Sequence, residues 1–393
     1  MSDFKYLIVG AGMTADAAVQ GIRELDPTGS IGLIGAETEA PYSRPPLSKA
    51  LWKGKPVSRI WRYTEKHGVN LLLGRSVERV DPKAQVVVDD RGEAYGYDRL
   101  LLATGGRPRR LPFGGDQIIY YRTVADFRRL WDMAQVGESF AVIGGGFIGA
   151  EIAAALALNG KQVHLLFPEP GIGGRVFPAE LGRYLVDYYR EHGVVVQPGT
   201  RVTGISAVDG HTRVQTSAGE VEVDGVVAGL GLEPNVELAQ AAGLAVDNGI
   251  VVDEFLRTTQ PNIFSAGDVA AFYSPLLDKR LRVEHEDNAL TMGKHAGRNM
   301  AGQRASYTHL PFFYSDLFEL GYEAVGEIDA RLDTLVDWKD PYREGVIYYH
   351  DRERVRGVLL WNTWDQVENA RRLIAARQPA AAGALKSLAA VAA

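Results

Sequence analysis

The sequence predicts an α/β chain: two parallel-sheet units of one kind, followed by an α+β region. Three observations predict it. A short apolar strand, a glycine turn, a small-residue helix and a second strand ending near an acidic residue occur twice, from Tyr6 to Glu37 and from Phe140 to Glu169. From about residue 309 aromatic residues become more frequent, and apolar alternation over Gly345–His350 and Val355–Trp361 reads as antiparallel strands. A length of 393 residues suits two or three domains.

The elements follow in order. The first strand run, Phe4-Lys5-Tyr6-Leu7-Ile8-Val9, begins so early that no leader peptide is expected, and a cytoplasmic location is the expectation. Between the two units lie strand-like Gln85–Val88 and Arg99–Ala103, with turn residues around Asp89–Gly92. The second unit has its helix at Ala150–Leu158 and its second strand at Gln162–Phe167. Residues 193–232 are rich in strand formers and end on the turn Glu233-Pro234-Asn235. Strand-like Gly249–Val252 comes next, then a helix over about 287–301 and another over Asp365–Arg377. Pro379–Ala393 is alanine-rich and of low complexity, so a flexible, frayed or loosely helical tail is expected.

Composition removes several classes of function. A net charge of −6 gives no bulk attraction to nucleic acid or anionic lipid. No run of about 18 apolar residues exists to span a membrane. The chain has no cysteine, which removes disulfides, iron–sulfur clusters, thiolate metal sites and any catalytic thiol. The eight histidines form no HxxxH or HxH pair, so no metal site is expected.

The two glycine turns carry the chemistry. In VGAGMTADAA, residues 9–18, Gly10 permits a tight turn, Gly12 lets the backbone approach a pyrophosphate, and Ala15 stays small so that helix packs on strand. The helix N-terminus then offers free N–H groups and a positive dipole end to phosphate. Glu37 lies where a carboxylate accepts hydrogen bonds from ribose hydroxyls. In VIGGGFIGAE, residues 142–151, Gly144, Gly146 and Gly149 have the full GxGxxG spacing around Phe147 and Ile148. A glycine turn without a ligand is the bland alternative for either site alone. Two sites in one chain point to two Rossmann-like, three-layer ββα dinucleotide-binding domains. Hydride transfer is the physical reason for two: a resident flavin and a visiting nicotinamide must meet ring to ring. Without cysteine, the electrons must reside on that organic cofactor.

The chain resembles the glutathione-reductase-type flavoproteins, and more narrowly the apoptosis-inducing-factor and ferredoxin-reductase group. PYSRPPLSK (41–49), LLATGG (101–106) and IFSAGD (263–268) resemble flavin motifs of these proteins. LFPEPGIGGRVFPAEL (166–181), RVEHEDNA (282–289), FFYSDL (312–317), GYEAVG (321–326) and VLLWN (358–362) resemble apoptosis-inducing factor. The resemblance runs to about Arg377. It implies an FAD domain in two segments, 1–111 and 235–308, an NAD domain at 112–234 and a C-terminal α+β domain at 309–378, with 379–393 as the tail. It also implies that Arg44, Lys49, Val77, Arg122 and Asp268, with Ala103, Thr104 and Gly105 of LLATGG, contact FAD. Phe147, Glu151, Glu169, Arg175, Gly231, Glu284, Glu323 and Asn362 fall where relatives bind NAD. His285 and Tyr314 fall where relatives contact flavin or nicotinamide; relatives commonly have tryptophan at the position of Tyr314. The long insertion of mitochondrial apoptosis-inducing factor is missing from the C-terminal region.

From the resemblance follow expectations about mechanism. NADH C4 gives hydride to flavin N5. Lys49 sits near N5 and pairs with Glu151, either to hold charge on the reduced flavin or as a structural ion pair. Phe147 covers the flavin and moves aside for nicotinamide, or packs the turn. The helix near Asp287 points its N-terminus at the flavin, or is a core helix, and His285 is a proton carrier or a polar wall. Glu169 favours NADH over NADPH by repelling a 2′-phosphate, with Arg175 as the residue that could reverse this. Arg107, Arg109, Arg110, Arg128, Arg129, Lys279, Arg280 and Arg282 are either a dock for an acidic iron–sulfur ferredoxin or a solvated face or phosphate contacts. The electrons then pass to a ferredoxin, a quinone or oxygen. The alternative is an NADH sensor whose long-lived charge-transfer complex controls partner binding. A monomer or a homodimer, with redox-dependent assembly open, suits both.

Overall fold

The computed structural model describes residues 2–351 and 354–377; the alanine-rich tail lies outside them. Among the described residues the helices are α1 (Met13–Arg23), α2 (Val124–Val136), α3 (Phe147–Leu158), α4 (Ala179–Glu191), α5 (Glu237–Ala241), α6 (Glu286–Met300) and α7 (Val367–Ala375). None is long and apolar enough to cross a membrane. The chain forms two compact bodies. The first holds residues up to Arg44, Ser58–Arg107 and Glu233–Pro311; the second holds Pro45–Val57, Pro108–Leu232 and the chain from Phe312 onward.

The first body is built on a sheet whose strands run Asn70–Leu73, Ile31–Gly35, Ser2–Val9, Ala94–Leu102, Val86–Asp89 and Val77–Asp81, with Ile263–Ser265 also paired to Ala94–Leu102. The centre is parallel, with Leu7 opposite Leu100 and Ile8 opposite Leu33, and the last two strands form an antiparallel ribbon. Near-continuous apolar runs such as Tyr6-Leu7-Ile8-Val9 are what a strand covered on both faces requires. One face buries Ile8, Leu33, Leu101 and Phe264 with Val19 and Ile22 of α1 and Met292 and Ala296 of α6. The other buries Leu7, Ile34, Leu100 and Leu102 with Ala239 of α5.

Helices α1 and α6 approach each other backbone to backbone. A Cβ on Gly297 would collide with the Ala18 carbonyl, and one on Gly293 with the Thr14 carbonyl. Small residues there let α6 lie on the helix that starts at the first glycine turn.

The second body carries an all-parallel sheet in the order Val194–Pro198, Gln162–Phe167, Ser139–Ile143, Gly225–Ala228, Ile118–Tyr120. A three-stranded antiparallel meander, Val202–Val208, His211–Thr216 and Gly219–Val223, shares an apolar cluster with it. Its third layer is a five-stranded antiparallel sheet in the order Phe312–Leu317, Leu320–Gly326, Val355–Trp361, Glu344–His350, Asp333–Asp340. Helix α7 covers part of it through buried Ala370 and Ile374.

Segment Pro45–Val57 belongs to this second body although the residues flanking it belong to the first. Trp52 anchors it, with its ring 5.8 Å from Phe127 and 5.3 Å from Trp131, both on α2. Tyr121 and the Trp52 indole both donate to the Leu47 carbonyl. Two further points differ from the sequence expectation. The Glu233-Pro234-Asn235 turn is preceded by and overlaps a short strand, Leu232–Pro234. The helix expected from Ala150 starts earlier, at Phe147, because the turn glycine Gly146 is itself its N-cap.

Gly297→Ala should lower stability by about 1–3 kcal/mol, because the clash is with main chain and outweighs the helix propensity gained. A lower urea midpoint checks this; an unchanged or higher midpoint would mean that the helices separate freely.

Candidate functional site: two glycine cradles and a buried ion pair

The first cradle lies where the strand Ser2–Val9 meets α1. Gly10 has φ +117°, and a Cβ there would strike the Ala103 carbonyl, so only glycine fits. Gly12 is different. It caps α1 with φ −95°, which any residue adopts, and a Cβ on it would meet no protein atom within 4 Å. No side chain caps this helix, so its first N–H groups are left without a side-chain partner there. Ala15 is fully buried against the strands.

Several expected FAD residues belong to this body. Glu37 ends the Ile31–Gly35 strand region, and its carboxylate accepts from Arg44 at 2.6 Å and from the Tyr42 hydroxyl at 2.6 Å. Burial opposes the Arg44 charge, but Tyr42, Glu37 and Asp268 more than restore it, so its guanidinium lies above its ordinary pKa. The Ala103 N–H donates to Val9, and Thr104 and Gly105 are tied to Asn235 by hydrogen bonds of 2.8–3.0 Å. The Asp268 carbonyl accepts from Arg282, which also pairs with Glu284 at 2.5 Å. His285 is the N-cap residue of α6. Val77, also in this body, packs against the apolar cluster of Leu7 and Leu100. Arg122 belongs to the second body and donates its N–H to Asp126 at the start of α2. Glu284, expected with NAD, lies in the first body, beside Asp268.

The second cradle repeats the first. Gly144 has φ +113°, with the Gly229 carbonyl where a Cβ would go. Gly146 caps α3 with φ −83° and an open space around its missing Cβ. A Cβ on Gly149 would collide with the Gly144 carbonyl, so the helix and the turn touch. Ile148 is 38% exposed at this helix start. Gly231, with φ +83°, also has nothing within 4 Å of a would-be Cβ. At the end of the next strand Glu169 pairs with Arg175 at 3.1 Å. In the antiparallel sheet Glu323 is half-buried, and its Oε2 has no hydrogen-bond partner. Burial, then the nearby Asp365 charge, raises its pKa. An open cradle and an unsatisfied buried acid fit a nucleotide that supplies donors. Asn362 is committed to the sheet: its side chain accepts from the Gly321 N–H at 2.7 Å and donates to the Arg343 carbonyl at 2.9 Å.

Beside the second cradle sits the ion pair. Glu151, one turn along α3, is 4% exposed. Lys49 donates to its Oε1 at 2.6 Å, Ser315 to the same oxygen at 2.5 Å and Ser48 to Oε2 at 2.5 Å. A buried carboxylate that lost its cation would cost roughly 3–5 kcal/mol. The Lys49 ammonium also lies 5.3 Å from the ring centre of Tyr314, which is 38% exposed. Phe147 packs on Phe313 at 5.3 Å and Tyr322 at 6.4 Å, so its ring is part of an aromatic layer that continues to Trp361 through the stacked Tyr322.

Sequence reasoning paired Lys49 with Glu151 but missed Ser48 and Ser315. Ser48 stands beside Lys49 in PYSRPPLSK, the one signal that could have found it; a serine within FFYSDL carries none. The basic cluster is largely engaged. Arg107 bonds Glu237 and Glu233, Arg110 lies over the Tyr120 ring, Arg129 donates to the Asp116 carbonyl, Arg280 to Val252 and Ala271, and Arg282 to Glu284. Among the described residues no group of three His, Asp or Glu side chains is arranged to hold a metal ion.

Two nucleotide cradles in a chain without a thiol define a two-cofactor oxidoreductase. Comparison with known proteins agrees. Residues 4–293 match the pyridine nucleotide-disulphide oxidoreductase family, and 296–339 match the C-terminal region of mitochondrion-associated apoptosis-inducing factor. The ferredoxin–NAD(+) reductase component of the anthranilate 1,2-dioxygenase system of Burkholderia cepacia is 37% identical over 96% of this chain and 95% of its own length. Mitochondrial apoptosis-inducing factor 1 of Dictyostelium discoideum is 34% identical over 96% of this chain and 79% of its own length. The reductase in the covalent putidaredoxin reductase–putidaredoxin complex superposes with a TM-score of 0.91 at 31% identity, over 100% of this chain and 99% of that one. The chain therefore belongs to the pyridine nucleotide-disulphide oxidoreductase family, on the branch that holds ferredoxin reductases and apoptosis-inducing factor, and is an FAD-dependent NAD(P)H oxidoreductase.

Gly12→Val and Gly146→Val separate fold from ligand. Both should leave the circular dichroism close to that of the parent, with a urea midpoint close to that of the FAD-stripped parent for Gly12→Val and of the parent itself for Gly146→Val. Gly12→Val should purify without yellow colour, whereas Gly146→Val should keep FAD and weaken nicotinamide binding by at least ~10-fold, as a blocked phosphate contact of about 1.4 kcal/mol or more requires. Full cofactor binding in both variants would remove these cradles from the site.

Proposed function

We propose that this chain is an NADH-dependent reductase that delivers electrons to a small iron–sulfur ferredoxin. The observation that carries the reading is whole-length similarity to the Burkholderia ferredoxin–NAD(+) reductase component in a chain with no cysteine, where no internal disulfide can receive the electrons. FAD supplies the conversion between two-electron and one-electron transfer when bound. The residues of the chain supply binding and charge. Gly10, Gly12, Ala15, Ala103, Thr104, Gly105 and Asp268, with Glu37 and Arg44, are assigned to FAD. Gly144, Gly146, Gly149 and Gly231, with Glu169 and Glu323, are assigned to the nicotinamide dinucleotide.

Lys49 is assigned the electrostatic part. Its ammonium, fixed by Glu151, favours negative charge on the reduced cofactor. The dinucleotide preference rests on Glu169. Its carboxylate would repel a 2′-phosphate, and Arg175, at 84% exposure, has its charge met by Glu169 itself. Tyr314 lies against Lys49 and offers nicotinamide a smaller stacking face than tryptophan.

Lys49→Ala should slow flavin reduction by NADH in stopped flow by about 10²–10³-fold, the scale for losing one preorganised charge stabiliser. The wild-type protein should favour NADH over NADPH in kcat/KM and should turn over rapidly with a ferredoxin. An unchanged reduction rate would remove Lys49 from the mechanism, and a strong NADPH preference would overturn the assignment of Glu169. A long-lived long-wavelength band after NADH, with little turnover on any acceptor, would favour the sensing behaviour instead.

A further inference from the structure

We propose that Ser48 and Ser315 are positioning residues whose hydroxyls hold the Glu151 carboxylate in the orientation that fixes Lys49. The inference rests on the role assigned to Lys49 above. Both carboxylate oxygens accept short hydrogen bonds: Oε2 from Ser48, and Oε1 from Ser315 and Lys49. A hydroxyl has one hydrogen to give, and each serine gives it to this carboxylate. The two come from segments far apart in sequence, one from the short helix before Lys49 and the other from the Phe312–Leu317 strand. Lys49 reaches one oxygen, so Ser48 is the side-chain donor on the other.

Tyr121 donates to the Leu47 carbonyl and Tyr189 to the Ala150 carbonyl, so neither substitutes for the two serines. Burial pushes the Tyr121, Tyr189 and Tyr322 phenols well up, so all three stay neutral. Beside the pair runs a cleft whose walls include Ser48, Lys49, Lys53, Glu151 and Asp316. Lys53 and Asp316 are its other charged groups, of opposite sign. Removing a serine hydroxyl frees one carboxylate oxygen from its charge-assisted hydrogen bond, so the carboxylate no longer holds the Lys49 ammonium in one place.

The test uses the FAD-loaded full chain. Ser48→Ala, Ser315→Ala and Glu151→Gln are made singly, and each serine change is repeated in the Glu151→Gln background. Two quantities are measured: the single-turnover rate of reduction by NADH, and the flavin midpoint potential by spectroelectrochemistry. Each serine variant should slow reduction by about 10-fold, the scale of one charge-assisted hydrogen bond. Each should also make the potential more negative, because a loosened ammonium stabilises the reduced flavin less. In the Glu151→Gln background neither serine change should add anything, since a shared carboxylate makes the effects non-additive. The proposal is overturned if both serine variants keep the parent's reduction rate and potential, or if their effects persist undiminished with Gln at 151. Failure of the Lys49 reading is separate: Lys49→Ala would then itself leave reduction unchanged.

Discussion

A carboxylate at 4% exposure cannot remain charged without partners, and the second body is organised around supplying them. Glu151 sits on α3, which the glycine turn at Gly144 launches from the parallel sheet. Its cation comes from 102 residues earlier in the chain, and a hydroxyl comes from a strand 164 residues later. Three distant stretches of chain therefore converge on one group. The aromatic contacts around it give the convergence its rigidity. Trp52 on Phe127 and Trp131 fixes the stretch that carries Lys49, while Phe147 on Phe313 and Tyr322 fixes the antiparallel sheet against the helix start. Side chains held by packing and by further hydrogen bonds can present a charge in one place, as electrostatic catalysis requires.

The cradles obey a different constraint, that of backbone proximity. Gly10 and Gly144 are demanded by the protein itself, since a side chain would enter a neighbouring carbonyl. Gly12 and Gly146 have ordinary backbone angles and empty surroundings. Within the fold nothing forbids a larger residue at those two positions. The same GxG motif thus contains one position set by folding and one set by whatever lies against the helix N-terminus.

Much of this was legible in the sequence because it is local. The repeated strand–turn–helix unit, the strand at Val355–Trp361 and the helix seen as α6 are expressed in neighbouring residues and in periods of two or 3.6. Glu151 and Lys49 could be paired through family motifs. What stayed hidden depends on contacts between remote segments. Ser315 looks like any strand serine until the sheet brings it to Glu151. Arg282 reads as one more surface cation until it is seen bonded to Asp268 and Glu284. The home of Pro45–Val57 was hidden for the same reason: its apolar residues Leu47, Leu51 and Trp52 have no periodicity that names their partner.

That short stretch has a consequence for dissection of the gene. A fragment beginning at Pro108 and ending at Leu232 contains the complete second cradle and looks, on paper, like a separable nicotinamide module. It would carry Glu151 into the open without its ammonium and without either hydroxyl. The hydrophobic faces of Phe127 and Trp131 would be stripped of the indole that covers them. A soluble stand-alone version must therefore import thirteen residues from upstream, by fusion or as a synthetic peptide, and the affinity of that peptide would report how strongly the two pieces hold one another.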